Sequence, residues 1–265
     1  MYGSIAQTNG YVIIGKVMDA DTKMPLQGAS VFAQNTTTGT ATDAQGNFTL
    51  RLQNGGYDLI VTFTGYQTVN KRITTADAQN NNLIIEVKQK EKALQDVVIT
   101  SSNEVRDGLV KYGDFFVDNF IGKTANSKAC SIKNKEALKF YFSKKKNRLK
   151  VLAAEPLEIE NLALGYSIKY TLDSFTHEYG TEFSTYSGYP LFKDMPPANE
   201  AQKMLWQSNR LKAYYGSMLH FMRSVHNKTL KEDGFEIQFV AGNNDKETAV
   251  PITDFYGALN YTKNG

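Results

Sequence analysis

The sequence is poor in the residues that usually build metal and catalytic sites. Its 265 residues include one cysteine, Cys130, and three histidines, His177, His220 and His226. A single cysteine excludes an internal disulfide and any cysteine-based metal cluster. No HExxH, GxSxG, GxxxxGK[ST] or GxGxxG segment is present, so the zinc, serine-nucleophile and phosphate-loop chemistries lack their usual residues. The sequence therefore predicts no metal site, no cofactor and no catalytic residues.

Long hydrophobic runs are also missing. No stretch approaches the roughly 18 apolar residues that a membrane-spanning helix requires. Residues 3–7, GSIAQ, resemble the small-residue end of a cleaved signal peptide, although no basic and apolar segments precede them. We therefore predict an exported protein of the periplasm or the outer-membrane surface, with residues 1–10 as a disordered remnant of the signal.

Charge is present but unevenly distributed. The net charge is +3, and residues 128–150 hold nine Lys or Arg and one acid, Glu136. This segment contains a candidate basic patch formed by Lys139, Lys144, Lys145, Lys146, Arg148 and Lys150. Each such Lys contributes about 1 kcal/mol to the free energy of binding to an anionic membrane or another acidic surface. Lysines at a hairpin tip are, however, often simply solvated. Nucleic acid also binds basic patches, but an exported protein rarely meets it, and we predict no nucleic-acid partner.

Residues 11–100 have the pattern of short strands separated by turns. The segments NFTLRL and YDLIVTF alternate apolar and polar residues on either side of Asn54-Gly55, which is a strong hairpin signal. In TDAQG, Asp43 can accept backbone N–H bonds and Gly46 can take a positive φ. Calcium bound by Asp19, Asp21 and Asp43 is the alternative, but their spacing is too sparse for six to eight oxygen ligands.

Four elements of this first part form a recognisable set. They contain Gly15, Val17, Asp19; Pro25, Leu26, Gly28, Ala29, Val31; Thr42, Asp43, Gly46, Phe48; and Phe63, Gly65, Tyr66. With these elements the part resembles the carboxypeptidase regulatory-like domain, a transthyretin-like sandwich. That family often stands first in cell-envelope proteins and TonB-dependent receptors of Gram-negative bacteria. The resemblance implies a seven-stranded antiparallel β-sandwich with no catalytic residues of its own.

Residues 101–265 have a different, mixed pattern. Leu109, Tyr112, Phe116 and Phe120 recur at spacings of three and four, which predicts an amphipathic helix ending at Gly122. ALKFYF and LKVLAAE flank the basic turn at 143–147 and predict a strand pair. Residues 199–227 predict one long helix packed on a sheet, so this part is an α+β domain. The part also contains a second set of matching elements: Phe120, Ile121, Gly122; Cys130, Ile132, Asn134; Pro156, Leu157, Ile159, Asn161; Leu164, Gly165, Tyr166; and Trp206, Arg210, Tyr214, Gly216, Ser217, His220, Phe221, Arg223. With these it is similar to the region that follows the same sandwich in a group of exported proteins without an established activity.

The long predicted helix carries the second candidate site. At 100° per residue, Trp206, Arg210, Tyr214 and His220 fall within an arc of roughly 120°, together with Ser217 and Phe221. These side chains would line a pocket for an acidic or sugar-like ligand. Alternatively, Arg210 and His220 bond backbone carbonyls and hold the helix in place.

Together these observations predict a mainly β protein that is not an enzyme. Its partner would be an envelope protein, a glycan or an anionic membrane surface, bound by the sandwich and the α+β domain. The alternative is a hydrolase that uses His220 and Arg210 with an acid such as Glu155 or Glu160. A solvent-accessible His220 in a concave pocket would favour the hydrolase.

Overall fold

The computed structural model describes residues 10–77, 82–90, 103–243, 246–252 and 254–257. The chain is mostly β and divides into two units, residues 1–199 and 200–265, which are considered separately. The predicted signal remnant at 1–10 lies outside the described residues, except for Gly10 at the start of the first strand. The boundary predicted near residue 100 lies between residues 90 and 103, outside the described residues.

Seven strands form the predicted sandwich. The first sheet has the order β4-β1-β7 and the second the order β3-β2-β5-β6. Its pairs are antiparallel except β1 with β7, which run parallel. The strands are β1 (Gly10–Asp19), β2 (Ser30–Ala33), β3 (Gly39–Ala41), β4 (Asn47–Gln53), β5 (Tyr57–Thr62), β6 (Val69–Ile73) and β7 (Leu83–Val87). The seven-stranded sandwich is therefore confirmed.

The TDAQG segment forms the turn before β4. Asp43 Oδ1 accepts the backbone N–H groups of Gln45 at 3.0 Å and Asn47 at 2.8 Å. Gly46 has φ +76°, and a Cβ there would lie 2.6 Å from the carbonyl oxygen of Val17. Strand β4 then alternates, with Phe48, Leu50 and Leu52 buried in the sandwich core. Because Asp43 accepts these two N–H groups, it serves the turn. Within the described residues no cluster of acids, His or Cys is arranged to hold a metal ion.

Asp19 joins three segments of the sandwich. Its Oδ1 accepts the N–H groups of Asp21 and Thr22, each at 2.8 Å, and its Oδ2 accepts the hydroxyl of Tyr66 at 2.7 Å. The Thr22 N–H and then the Tyr66 hydroxyl hold the pKa of Asp19 well below its usual value. A carboxyl whose pKa falls on folding stabilises the fold above its unfolded pKa, and this contribution is lost as the pH falls through the folded pKa.

We therefore expect Asp19→Asn to lower the free energy of unfolding by a constant amount at neutral pH. The difference from the parent chain should shrink below about pH 4, near the ordinary Asp pKa, because Asp19 then begins to be protonated in the unfolded chain while it stays ionised in the folded one. Urea unfolding at pH 7 and pH 3 measures this. Asp21→Asn is the control, because the exposed Asp21 contributes only its backbone N–H. A difference that is equal at both pH values would contradict the assignment.

A six-stranded sheet follows in the same unit. Its strands are β8 (Cys130–Ile132), β9 (Leu138–Ser143), β10 (Arg148–Ala153), β11 (Leu157–Asn161), β12 (Tyr166–Glu178) and β13 (Phe183–Asp194). Strand β13 pairs with one edge of β12 over nearly its whole length, while β10 and β11 pair end to end along the other edge. Beyond them lie β9 and β8. The predicted strand pair around the basic turn is the β9–β10 hairpin.

One face of this sheet is covered by the predicted amphipathic helix, α1 (Gly108–Phe120). The fully buried Phe116 makes ring contacts with Phe120, Phe140 and Phe175 at centroid distances of 5.0, 6.4 and 5.1 Å. Phe140 and Phe175 both pair with Val151, so the three share the face that contacts α1. We call the opposite side the outer face of the sheet.

The sandwich packs on part of that outer face. Phe32 of β2 and Ile60 of β5 point away from the sandwich core and form a small cluster with Leu191 of β13. Their exposed fractions are 1%, 0% and 6%. Lys169 of β12 also reaches Ser30, with Nζ 3.3 Å from Oγ. The central strands β2 and β5 are therefore covered on both faces, by the other sheet of the sandwich and by the second sheet.

The second unit begins with two helices where the sequence predicts one. Helix α2 spans Glu200–Tyr214 and α3 spans Met218–Asn227. Gly216 between them has φ +77°, and Ser217 Oγ accepts the N–H of His220 at 3.2 Å as the N-cap of α3. The prediction of a continuous helix is wrong, because a left-handed glycine ends one helix and a serine cap starts the next.

A hairpin of β14 (Gln238–Asn243) and β15 (Lys246–Pro251) completes this unit. None of the helices in the described ranges combines the length and the hydropathy needed to cross a bilayer.

Candidate binding surfaces

The break at Gly216 divides the predicted ligand arc between two helices. Trp206, Arg210 and Tyr214 lie at spacings of four along α2, whereas His220 lies in the first turn of α3. Trp206 is buried, and Arg210 and Tyr214 are half-buried. The turn brings Tyr214 and His220 together, with ring centroids 4.8 Å apart. The four residues therefore do not form one continuous helical face.

His220 is held by the structure around it. Its exposed fraction is 6%, and its Nδ1 accepts the backbone N–H of Gly216 at 3.2 Å. The ring of Phe235 lies 4.9 Å away, and Nε2 is 3.8 Å from Asp233 Oδ1. A general base needs a free nitrogen that a substrate can reach, and this geometry favours a role in joining α3 to the following turn.

Asp233 is the acid beside His220. Its Oδ2 accepts the hydroxyls of Ser224 and Thr229, both at 2.6 Å, and these bonds hold the pKa of Asp233 below its usual value. The Asp233 carboxylate therefore stabilises the loop after α3.

The acids proposed from the sequence as partners of His220 have other partners. Glu155 accepts a hydrogen bond from Asn134 at 3.3 Å, and Glu160 pairs with Lys133 at 2.7 Å.

The sequence analysis does not predict a contact between another histidine, His177, and Ser184. His177 and Ser184 are direct neighbours on β12 and β13, and Nδ1 lies 2.8 Å from Oγ. The Ser184 hydroxyl also lies 3.3 Å from Asn119 Oδ1 on α1. His177 is 5% exposed and packs between Phe115 and Tyr179. This burial indicates a cross-strand pair in the core, and the hairpin register of residues 177 and 184 is the signal that identifies it.

The basic patch lies on the β9–β10 hairpin. Lys144, Lys145 and Lys146 form its exposed turn, while Lys139 and Lys150 lie on the outer face. Within the described part of the chain, none of these five lysines forms an ion pair, whereas Arg148 pairs with Glu178 of β12. The positive charge of the hairpin therefore comes from its lysines and is not neutralised by neighbouring acids.

An exposed aromatic side chain lies beside this turn. Arg148, Glu178 and Phe183 are direct neighbours across β10, β12 and β13, so they share the outer face. Phe183 is 64% exposed. The Tyr179 N–H donates to the Asn147 carbonyl at 3.1 Å and ties the ends of the two hairpins together. We call Lys144, Lys145, Lys146 and Phe183 the basic tip.

The clefts between the sandwich and the outer face have a different charge pattern. One of ≈ 100 Å³ includes Phe63, Tyr66 and Lys169 in its lining, and another of ≈ 340 Å³ includes Lys133, Glu158 and Glu160. The first is well below the roughly 300–1,000 Å³ of typical ligand pockets. In the second, Lys133 is paired with Glu160. Neither cleft concentrates unpaired charge as the basic tip does.

Comparison with known proteins agrees with the sandwich. Residues 13–99 match the CarboxypepD_reg-like domain family, which confirms the resemblance of the first part. No curated protein sequence matches the chain. This domain is regulatory-like and not catalytic, and no enzyme family is indicated.

A solved structure from Bacteroides fragilis, described as membrane-associated and of unknown function, is similar at 11% identity. The match covers 62% of this chain and 65% of that chain, less than two thirds of its length, with a TM-score of 0.24. It carries no argument about function.

Proposed function

We propose that this chain is a non-catalytic binding protein of the cell envelope that attaches to anionic membrane surfaces through the basic tip. The observation that carries the proposal is the exposed run Lys144, Lys145 and Lys146, which has no acidic partner in the described part of the chain, next to the exposed ring of Phe183. In this role the sandwich supports the sheet that presents the hairpin. The membrane-facing location and the export of the chain are parts of the proposal.

The chemistry of the tip favours lipid headgroups over a defined glycan or protein epitope. Lysine ammonium groups are point charges on flexible stems, whereas geometric recognition of carboxylates and phosphates usually employs arginine. The arginine of this hairpin, Arg148, is already engaged by Glu178. A charged surface attracts all three lysines regardless of its detailed arrangement, and the Phe183 ring can enter the interface between headgroups and acyl chains.

Removing the charge of the tip tests the proposal. We expect Lys144→Gln/Lys145→Gln/Lys146→Gln to weaken binding to vesicles of phosphatidylglycerol and phosphatidylcholine about a hundredfold at low salt, since each Lys contributes about 1 kcal/mol. Vesicle cosedimentation measures this. The matched control is Arg51→Gln/Lys71→Gln/Lys88→Gln, which removes the same charge from exposed positions on the sandwich.

The alternatives give different results. Equal weakening by both triple variants would mean that only net charge matters and would contradict a specific role of the tip. Absence of vesicle binding by the parent chain, together with binding to an acidic glycan or protein, would replace the membrane by that partner.

A further inference from the structure

We infer that the two helices of the second unit form an additional membrane contact, which inserts apolar side chains into the lipid interface. The inference rests on the proposed function, because it assumes the same lipid partner. Seven large apolar side chains within 19 residues are 52–73% exposed. Leu205 is one of them, and we call the other six the helix face: Met204, Leu211, Tyr215, Met218, Leu219 and Met222.

The helix face follows the geometry of both helices. At 100° per residue, Met204 and Leu211 fall within about 20° of one another on one side of α2. Tyr215 directly follows α2 and continues this side, since its N–H donates to the Leu211 carbonyl at 3.1 Å. Met218 and Met222 fall within about 40° on α3. The buried residues lie on other sides, with Trp206 on α2 and His220 and Ser224 on α3. Each helix therefore buries residues on one side and leaves apolar side chains exposed on another.

Charges around the helix face favour an anionic bilayer. Residues 200–235 contain six Lys or Arg and three acids. Two of the acids are engaged, because Glu200 pairs with Lys203 at 3.2 Å and Asp233 is bound by Ser224 and Thr229. Lys212 and Arg223, which directly follow Leu211 and Met222 in the chain, are exposed cations. Exposed apolar side chains with adjacent Lys and Arg are typical of helices that lie in the membrane interface.

The same charges disfavour a second copy of this chain as the partner that covers the helix face. A two-fold symmetric dimer brings the same patch of both subunits together. It would therefore bring Lys212 and Arg223 of both chains into one interface, where like charges repel. Methionine side chains are flexible and polarizable and adapt to irregular apolar surroundings, which suits fluid acyl chains.

The test uses the full chain with its one native thiol removed by Cys130→Ala. An environment-sensitive fluorophore is attached at Met218→Cys or, as the control, at Asn227→Cys, which is exposed on the opposite side of α3. We expect anionic vesicles to shift the emission at position 218 to the blue, and lipid-borne nitroxides to quench it. The emission at position 227 should not change.

A second measurement separates this inference from the proposed function. We expect Met218→Gln/Leu219→Gln/Met222→Gln to weaken vesicle binding at least about tenfold at both low and high salt, because buried apolar area is lost. The control is Met24→Gln/Ile84→Gln/Val110→Gln, which removes three side chains of the first unit that are 65%, 57% and 88% exposed.

Three results would overturn the inference. Unchanged vesicle binding by the helix-face variant, with no shift at position 218, would leave the basic tip as the sole contact and the proposed function intact. A parent chain that binds no vesicles would remove both proposals. A shift at position 218 that depends on protein concentration without vesicles would identify a second copy as the occupant.

Discussion

Replacing Ile60 or Leu191 by Ala should each lower the free energy of unfolding of the first unit by about 2–5 kcal/mol. Ile60 is fully buried and Leu191 is 6% exposed, in a cluster that joins β5 of the sandwich to β13 of the second sheet. Because the two side chains share this cluster, their effects should not add. We expect a coupling energy of about 0.5–3 kcal/mol in a double-mutant cycle.

The control cycle pairs Ile60→Ala with Val151→Ala. Val151 is also fully buried, but it belongs to the cluster between α1 and the second sheet. Distant sites add to within about 0.3–0.5 kcal/mol, so this cycle should show little coupling. Urea unfolding of the four variants in each cycle measures both energies. Additive effects of Ile60→Ala and Leu191→Ala would mean that these two side chains do not stabilise each other across the two sheets.

This contact also marks the limit of sequence analysis for the sandwich. Alternation in β4 predicts its buried residues, and Asn54-Gly55 and the TDAQG segment predict the turns. Strands β2 and β5 include consecutive buried residues, such as Phe32 beside Val31 and Ile60 beside Val61. A run of this kind indicates a strand covered on both faces. The sequence cannot identify the cover, because Leu191 lies about 130 residues further along the chain and no local pattern links them.

The residues at the helix break are a recognisable sequence signal, although the sequence analysis predicts one helix. Gly216 followed by Ser217 combines a common helix terminator with a preferred N-cap. The apolar periodicity on both sides made one helix the simpler interpretation. The surroundings of His220 are harder to predict from the sequence, because its contacts come from Gly216, Asp233 and Phe235. Their positions follow from the break and from the loop after α3.

The basic tip can be predicted from the sequence only in part. The turn and its lysines follow directly from residues 143–147, and the hairpin forms as predicted. Two properties that shape the candidate site depend on strand register instead. Glu178 neutralises Arg148, and Phe183 lies beside them, only because β12 and β13 pair next to β10 in one register. A shift by one residue would move these side chains to the opposite face.

Replacing His220 by Ala should destabilise the second unit by about 2–4 kcal/mol. The change removes a buried ring among Tyr214, Tyr215 and Phe235 and leaves the Gly216 N–H without its acceptor. His226→Ala is the control, because His226 is exposed on the same helix. Thermal unfolding followed by circular dichroism measures both.

The histidine reagent diethyl pyrocarbonate gives an independent test of the same assignment. In the native parent chain His226 should react readily, while His220, which is 6% exposed, should be modified only as the protein unfolds. Mass spectrometry of the labelled peptides separates the two sites. Rapid labelling of His220, with no loss of stability in His220→Ala, would contradict the structural role and revive the hydrolase hypothesis. Protection of His220 together with a destabilised variant would mean that this histidine holds α3 against the loop of Asp233, so that binding must be sought on the basic tip and the helix face.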